Sequence, residues 1–238
     1  MFYRPLTPIV KNLLIINVIM FVASMALGDG FSEMMAGHYI TSELFKPWQI
    51  LTHMFMHAGF THILFNMIGV YFFGTYLEDH WGGKRFLTYY LLTGLGAFFL
   101  HFLIIYLRIQ QVEPLLTPEQ IATVYSDGAE VLRNHQNYAN EAMANLNDLL
   151  NRGVVGASGA LFGLLIAFGL IFPNVRLMLL FPPIPIKART LALGYGAIEL
   201  YLALSHPGDN VAHFAHLGGM LFGYIILKYW QKRGNIFY

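Results

Sequence analysis

Six long apolar stretches dominate this 238-residue chain, running approximately over Ile9–Leu27, Ile50–Leu77, Phe86–Leu107, Val154–Phe172, Thr190–Leu204 and Val211–Trp230. A helix needs about 20 mostly apolar residues to cross a bilayer. Within hydrocarbon, only helices and closed barrels satisfy their own backbone polar groups. The pattern therefore predicts an all-α polytopic membrane protein, a six-transmembrane-helix bundle forming a single domain over residues 1–238. The fifth stretch is the shortest and carries Glu199. Charged residues make up 11% of the chain, against about 25% in soluble domains, which excludes an ordinary cytosolic enzyme. The lipid bilayer is the expected partner. Nucleic acid is not, because 14 Lys and Arg against 13 Asp and Glu leave a net charge of only +1. Cysteine is absent, so there is no disulfide framework, thiol nucleophile or thiolate metal site. The first stretch lacks a small-residue cleavage site and reads as a span rather than a removable signal.

Lys and Arg concentrate on the cytoplasmic side of spanning helices. With the N-terminus inside, only Lys46, Arg108, Arg133 and Arg152 fall in outer segments, and the other ten of the fourteen basic residues fall inside. Both termini are thus expected to be cytoplasmic in a multi-pass cell-membrane protein. Between the third and fourth stretches, residues 110–152 turn polar and acidic. Pro114 and Pro118 interrupt this insertion early. Val124, Val131, Leu132, Met143, Leu146, Leu149 and Leu150 recur about every three or four residues after that, predicting one or two amphipathic helices on the outer face. The insertion reads either as a structural cover or as a contact for substrate or partner.

Polar groups inside a span are costly and mark functional candidates. His53, His57 and His62 gather at the start of the second stretch, and His213 and His216 at that of the sixth. Both starts are on the outer side in the expected topology, so the two groups can meet in one outward-opening depression. The fourth stretch opens there too, with Gly156-Ala157-Ser158-Gly159-Ala160. Ser158 lies at a helix start, where free N–H groups and the positive end of the dipole favour a developing oxyanion. A serine hydroxyl needs a base, and neutral histidine is the usual one near pH 7. His216 is the best placed, since Gly219 and Gly223 form a small-residue pair that lets two helices pack closely. A plainer reading makes Ser158 an N-cap and His216 an interhelical hydrogen-bond donor. The rival chemistry is metal binding, because His53/His57 at i, i+4 and His213/His216 at i, i+3 can each share a helix face. Against it, no carboxylate falls within either histidine cluster in the sequence, and His-Glu-x-x-His is missing. Glu199 reads as a structural hydrogen-bonding group.

The motifs together resemble the rhomboid family of intramembrane serine proteases. The resemblance rests on His57-x4-His62-x3-Asn66, Gly74-x3-Glu78-x3-Gly82, Gly156-Ala157-Ser158-Gly159 and Ala215-His216-x2-Gly219-x3-Gly223, in that order along the chain. It implies a catalytic Ser158–His216 dyad with no third acidic residue, no metal and no cofactor. It also implies an oxyanion hole made by the Ser158 N–H with His62 and Asn66, and an aromatic ring at Phe162 stacked on the base. Gly156 would leave room for the substrate backbone, and Ser205-His206-Pro207-Gly208-Asp209-Asn210 would belong to a mobile lid. The implied substrates are single-span transmembrane proteins, cut near the outer leaflet in a cavity opening outward. Trp48-Gln49 stands where many relatives carry Trp-Arg. A rise of 1.5 Å per residue gives Gly156–Phe172 roughly 25 Å, shorter than the ~30 Å hydrocarbon, consistent with a helix that starts inside the membrane. Two readings from other classes stay open at this point: a catalytically inactive relative that binds membrane clients, and a histidine-lined metal or proton transporter.

Overall fold

The computed structural model describes residues 5–178, 183–205 and 211–234. Ten α-helices follow in order: α1 Pro8–Leu27, α2 Asp29–Met35, α3 Gln49–Thr52, α4 Phe60–Trp81, α5 Gly83–Val112, α6 Pro118–Arg133, α7 Glu141–Asn151, α8 Ser158–Ile171, α9 Ala188–Ser205 and α10 Val211–Lys232. A small antiparallel hairpin, β1 Arg176–Met178 and β2 Pro185–Lys187, pairs Leu177 with Ile186 between α8 and α9. Helices stand at all six apolar stretches. Three of them, Pro8–Leu27, Phe60–Trp81 and the run Gly83–Leu115, are long and apolar enough to cross a membrane by length and composition, and Ser158–Ile171 is a shorter apolar helix. Large apolar side chains such as Val22, Phe99, Leu193 and Leu204 are exposed on the outside of the bundle. A water-soluble monomer rarely shows so much contiguous apolar surface.

Two boundaries differ from the sequence expectation. The second long helix starts at Phe60 rather than Ile50, because the chain leaves the helical region at Met56 (ψ 148°) and is fully extended at Gly59. Residues 49–55 form α3 and one 3₁₀ turn instead. The third helix continues to Val112, and its 30 residues measure about 45 Å, more than a hydrocarbon core needs. Its last turns carry the insertion, where Ile105, Ile109 and Val112 bury against Val124, Leu146, Leu149 and Leu150. The insertion holds two amphipathic helices, where one or two were expected. A Thr117–Gln120 capping box starts α6, and the Asn140 side chain accepts from Met143 N to start α7.

Three anchors fix the bundle. On the side of the α4–α5 turn, buried Glu78 caps the start of α1: Oε1 accepts from Ile9 N at 2.9 Å, and Oε2 accepts from Val10 N at 2.8 Å and from the Thr7 hydroxyl. Around it, Gly74 makes room for Val10 and Phe86, and Gly82 turns α4 into α5 with φ 77°. At the other end, fully buried Gln49 ties down the α2–α3 loop. Its amide donates to Leu44 O at 2.9 Å and Met34 O at 3.2 Å, and its carbonyl oxygen accepts from Lys46 N and His38 N. In this way the uncharged side chain of Trp48-Gln49 holds the loop. The third anchor is the centre itself, where α8 is buried on nearly every side by α4, α5, α9 and α10. A Cβ at Gly219 would fall on the Gly159 carbonyl, and one at Gly163 would lie 2.6 Å from Thr93 Cβ. Glycine at these positions is what lets α10 and α5 press against α8.

Candidate active site

Ser158 is the first residue of α8, following Ala157 at the N-cap position. The turn into this helix is held on two sides. Gly156 has φ 132°, a conformation L side chains rarely adopt, and its N–H donates to His53 O at 2.9 Å. Two residues earlier, Gly37 and Val154 exchange backbone hydrogen bonds of 2.9 Å each, joining the α2–α3 loop to the extended segment that leads into α8.

From α10, His216 reaches across the glycine contact so that its Nε2 lies 3.0 Å from Ser158 Oγ. The Phe162 ring, one turn along α8, stacks on the imidazole with centroids 4.3 Å apart and planes 8° from parallel. That stack leaves the ring free to slide in its plane but not to tip away from the serine. His62 approaches from α4: a Cβ built on Gly156 would lie 3.0 Å from His62 Nε2 and 3.4 Å from Ser158 Oγ, so the two side chains flank the same glycine. Any larger residue at position 156 would fill the space between them. Asn66 follows one turn along α4, buried, with its amide donating to His62 O at 3.0 Å and a second N–H left over. Ser158, His216, Phe162, Gly156 and His62 therefore converge, and Asn66 stands directly behind His62. Of the lid segment, only Ser205 is described, as the last residue of α9, and 206–210 lie outside the described residues.

The histidine clusters separate into different environments. His53 and His57 do not share a helix face, because the 3₁₀ turn and the extended Met56 intervene. His53 stacks on Phe98 at 4.1 Å and its Nδ1 contacts Gln49 O, which makes it part of the loop's packing. His57 stands edge-on to His62 with ring centroids 5.0 Å apart. The pair on α10 differs, and here the expectation that no acidic residue approaches the dyad is corrected. Buried Glu199 of α9 places Oε2 2.7 Å from His213 Nδ1 and 3.1 Å from His216 Nδ1. Sequence separation hid this contact. Glu199 lies six residues before the end of α9 and His216 five after the start of α10, so the two antiparallel helices bring them to one depth. The signal available was the stripe Ala188, Ala192, Glu199, Ala203, all buried on one face of α9. Among the described residues, Glu199, His213 and His216 also form the one trio of donors close enough to hold a metal ion, with ligand atoms within 4.8 Å of one another. The α10 histidines thus do have a carboxylate beside them, contrary to the expectation from sequence spacing.

A hydroxyl hydrogen-bonded to an imidazole at a helix start, beside backbone and side-chain donors, is the arrangement acyl transfer requires. Known proteins are similar to this chain in sequence. The Rhomboid domain model matches residues 44–117 and 119–233. The chain is 25% identical over 179 residues to "Putative rhomboid protease YdcA" of Bacillus subtilis, covering 75% of this chain and 65% of that protein. It is 28% identical over 188 residues to RHOMBOID-like protein 2 of Arabidopsis thaliana (76% and 41%) and 28% identical over 214 residues to its RHOMBOID-like protein 12, mitochondrial (89% and 55%). The chain thus spans between 41% and 65% of the length of these relatives. With the family model covering the chain from residue 44 through α10, and the serine and histidine motifs facing one another inside that span, this multi-pass membrane chain belongs to the rhomboid family.

Proposed function

We propose that the protein is an intramembrane serine endopeptidase that cuts single-span transmembrane proteins near the outer leaflet. Six helices, α1, α4, α5, α8, α9 and α10, form its membrane domain, with both termini cytoplasmic and the site opening outward. Residues 110–152 rest on the outer face. The observation that carries this reading is the 3.0 Å contact between Ser158 Oγ and His216 Nε2 across two helices.

In the first half-reaction, Ser158 Oγ attacks the scissile carbonyl carbon while neutral His216 accepts its proton at Nε2. The carbonyl oxygen becomes an oxyanion, received by the Ser158 N–H, His62 and the free N–H of Asn66. His216 then gives its proton to the leaving amine, and an acyl-serine remains. Water attacks that ester with the same base assistance, and Ser158 recovers its proton as the acid leaves. Both steps need water, so the polar groups of α4 and α10 must line a wet cavity. The 14 residues of α8 span about 21 Å, less than the ~30 Å hydrocarbon thickness, which supports a first residue that starts below the outer surface. A substrate helix has to unwind to present a peptide bond there, and helix-breaking Gly or Pro near its outer end assists.

The test is cleavage of a labelled single-span substrate by purified protein in detergent. Ser158→Ala and His216→Ala should each lower the rate by roughly 10⁴-fold or more. His62→Ala or Asn66→Ala should cost about 10²- to 10³-fold. Undiminished cleavage by Ser158→Ala ends the serine reading, and wild-type rates in the His62/Asn66 double variant end the oxyanion assignment.

A further inference from the structure

We propose that Glu199 is a positioning residue for His216, and that His213 holds it in place, so that this protein runs a serine–histidine pair backed by a buried carboxylate. The proposal rests on reading Ser158 as nucleophile and His216 as base. Its geometry is independent of substrate. Nε2 of His216 is committed to Ser158 Oγ at 3.0 Å, which leaves Nδ1 on the opposite edge of the ring. There, a buried carboxylate oxygen stands 3.1 Å away, and one face of the ring is covered by the parallel Phe162 ring. In the resting state, the Glu199 contact to His216 lies at ion-pair distance without the alignment of a formed hydrogen bond, whereas His213 Nδ1 donates to the same oxygen at 2.7 Å. The carboxylate is therefore pinned by one imidazole and presented to the other.

Two consequences follow for catalysis. A carboxylate facing Nδ1 selects the tautomer with its proton on Nδ1, which leaves Nε2 with the lone pair that must accept the serine proton. When that proton arrives, His216 becomes a cation within reach of the negative charge of buried Glu199, so the charge separation of the attack step is lowered in energy. The other titratable groups facing His216 are His213 one turn along α10 and His62 from α4. On its other sides, α8 brings only Ser158 and apolar residues, and α5 presents Ala97 and Leu100 to this stretch of α10. Glu199 is thus the single acid among the described groups around the base.

The experiment compares wild type, Glu199→Gln, Glu199→Ala and His213→Ala by cleavage kinetics across pH. Glu199→Gln keeps the volume and removes the charge. It should lower kcat about 10²-fold with little change in KM, and it should move the acid limb of the rate profile to lower pH, since a cationic ring there is no longer favoured. Glu199→Ala should show a similar or larger loss, and His213→Ala a smaller one of about tenfold. A residue that only supports packing would reduce the active fraction and leave the pH profile where it was. ¹⁵N-histidine NMR on inactive Ser158→Ala protein gives a readout that needs no turnover: His216 should be protonated on Nδ1 when Glu199 is present and mixed in tautomer when it is Gln. An unchanged kcat and acid limb with an unchanged tautomer overturns the proposal. Activity lost to a chelator and restored by zinc also overturns it, because Glu199 and His213 would then be metal ligands. Cleavage that survives Ser158→Ala sinks the serine-nucleophile reading instead, and the NMR result judges Glu199 separately.

Discussion

Two buried glutamates, Glu78 on the side of the α4–α5 turn and Glu199 beside the site, face very different partners. Glu78 meets three donors that belong to the start of α1, two backbone N–H groups and a hydroxyl, and each is satisfied at normal hydrogen-bond length. Its charge is spread over a helix terminus that favours anions. Glu199 meets two imidazoles, makes one aligned bond with His213 and leaves the approach to His216 incomplete. A carboxylate with its oxygens committed to fixed donors stabilises a fold. One held by a single neighbour and aimed at a titratable ring is set up to respond when that ring gains a proton. The difference lies in what the donors are and whether they change during a reaction.

Removing Glu78 is the largest break in that comparison. Glu78→Ala should destabilise the protein by on the order of 3 kcal/mol or more, because buried donors of Thr7, Ile9 and Val10 lose their acceptor. Thermal unfolding in detergent measures the loss, while the rate per folded molecule should stay near wild type. A smaller effect tests the site end without touching a charge. Gly219→Ala drives a methyl group against the Gly159 carbonyl and must part α8 from α10. A shift near ~1 Å between Ser158 and His216 should cost about 10²-fold in kcat, and unchanged kinetics would show that the helix contact does not set the reacting distance. The smallest effect concerns the outer loop. Burial holds the His38 pKa below its ordinary 6.5, even though carbonyls of Asn151 and Glu33 contact both ring nitrogens. A histidine kept neutral contributes in full above pH 6.5 and loses that contribution as pH falls from there through its lower folded value. Stability should therefore drop as pH falls below about 6.5, and His38→Gln should flatten the slope.

Much of this molecule was legible because membranes leave few solutions. Six apolar stretches, the Gly-Ala-Ser-Gly opening of α8 and the paired glycines of α10 each encode a packing requirement within about one helical turn, and helices stand where those stretches lie. The contacts that sequence reading missed cross between elements. Glu199 reaches His213 and His216 from 14 and 17 residues away, and only the shared depth of α9 and α10 joins them. Gln49 looked like a departure from the Trp-Arg pattern, yet its amide finds carbonyls of Met34 and Leu44 that no local rule would nominate. The i, i+4 spacing of His53 and His57 misled for the opposite reason, since the chain between them is not helical throughout.

Ser158 is a nucleophile only if His216 takes its proton. A phosphonofluoridate that reacts only with activated serines, followed by peptide mass spectrometry, tests this most directly. One phosphonyl adduct is expected, on Ser158, formed by wild type and lost in His216→Ala. No adduct at Ser158, or equal labelling without His216, would contradict the serine–histidine reading.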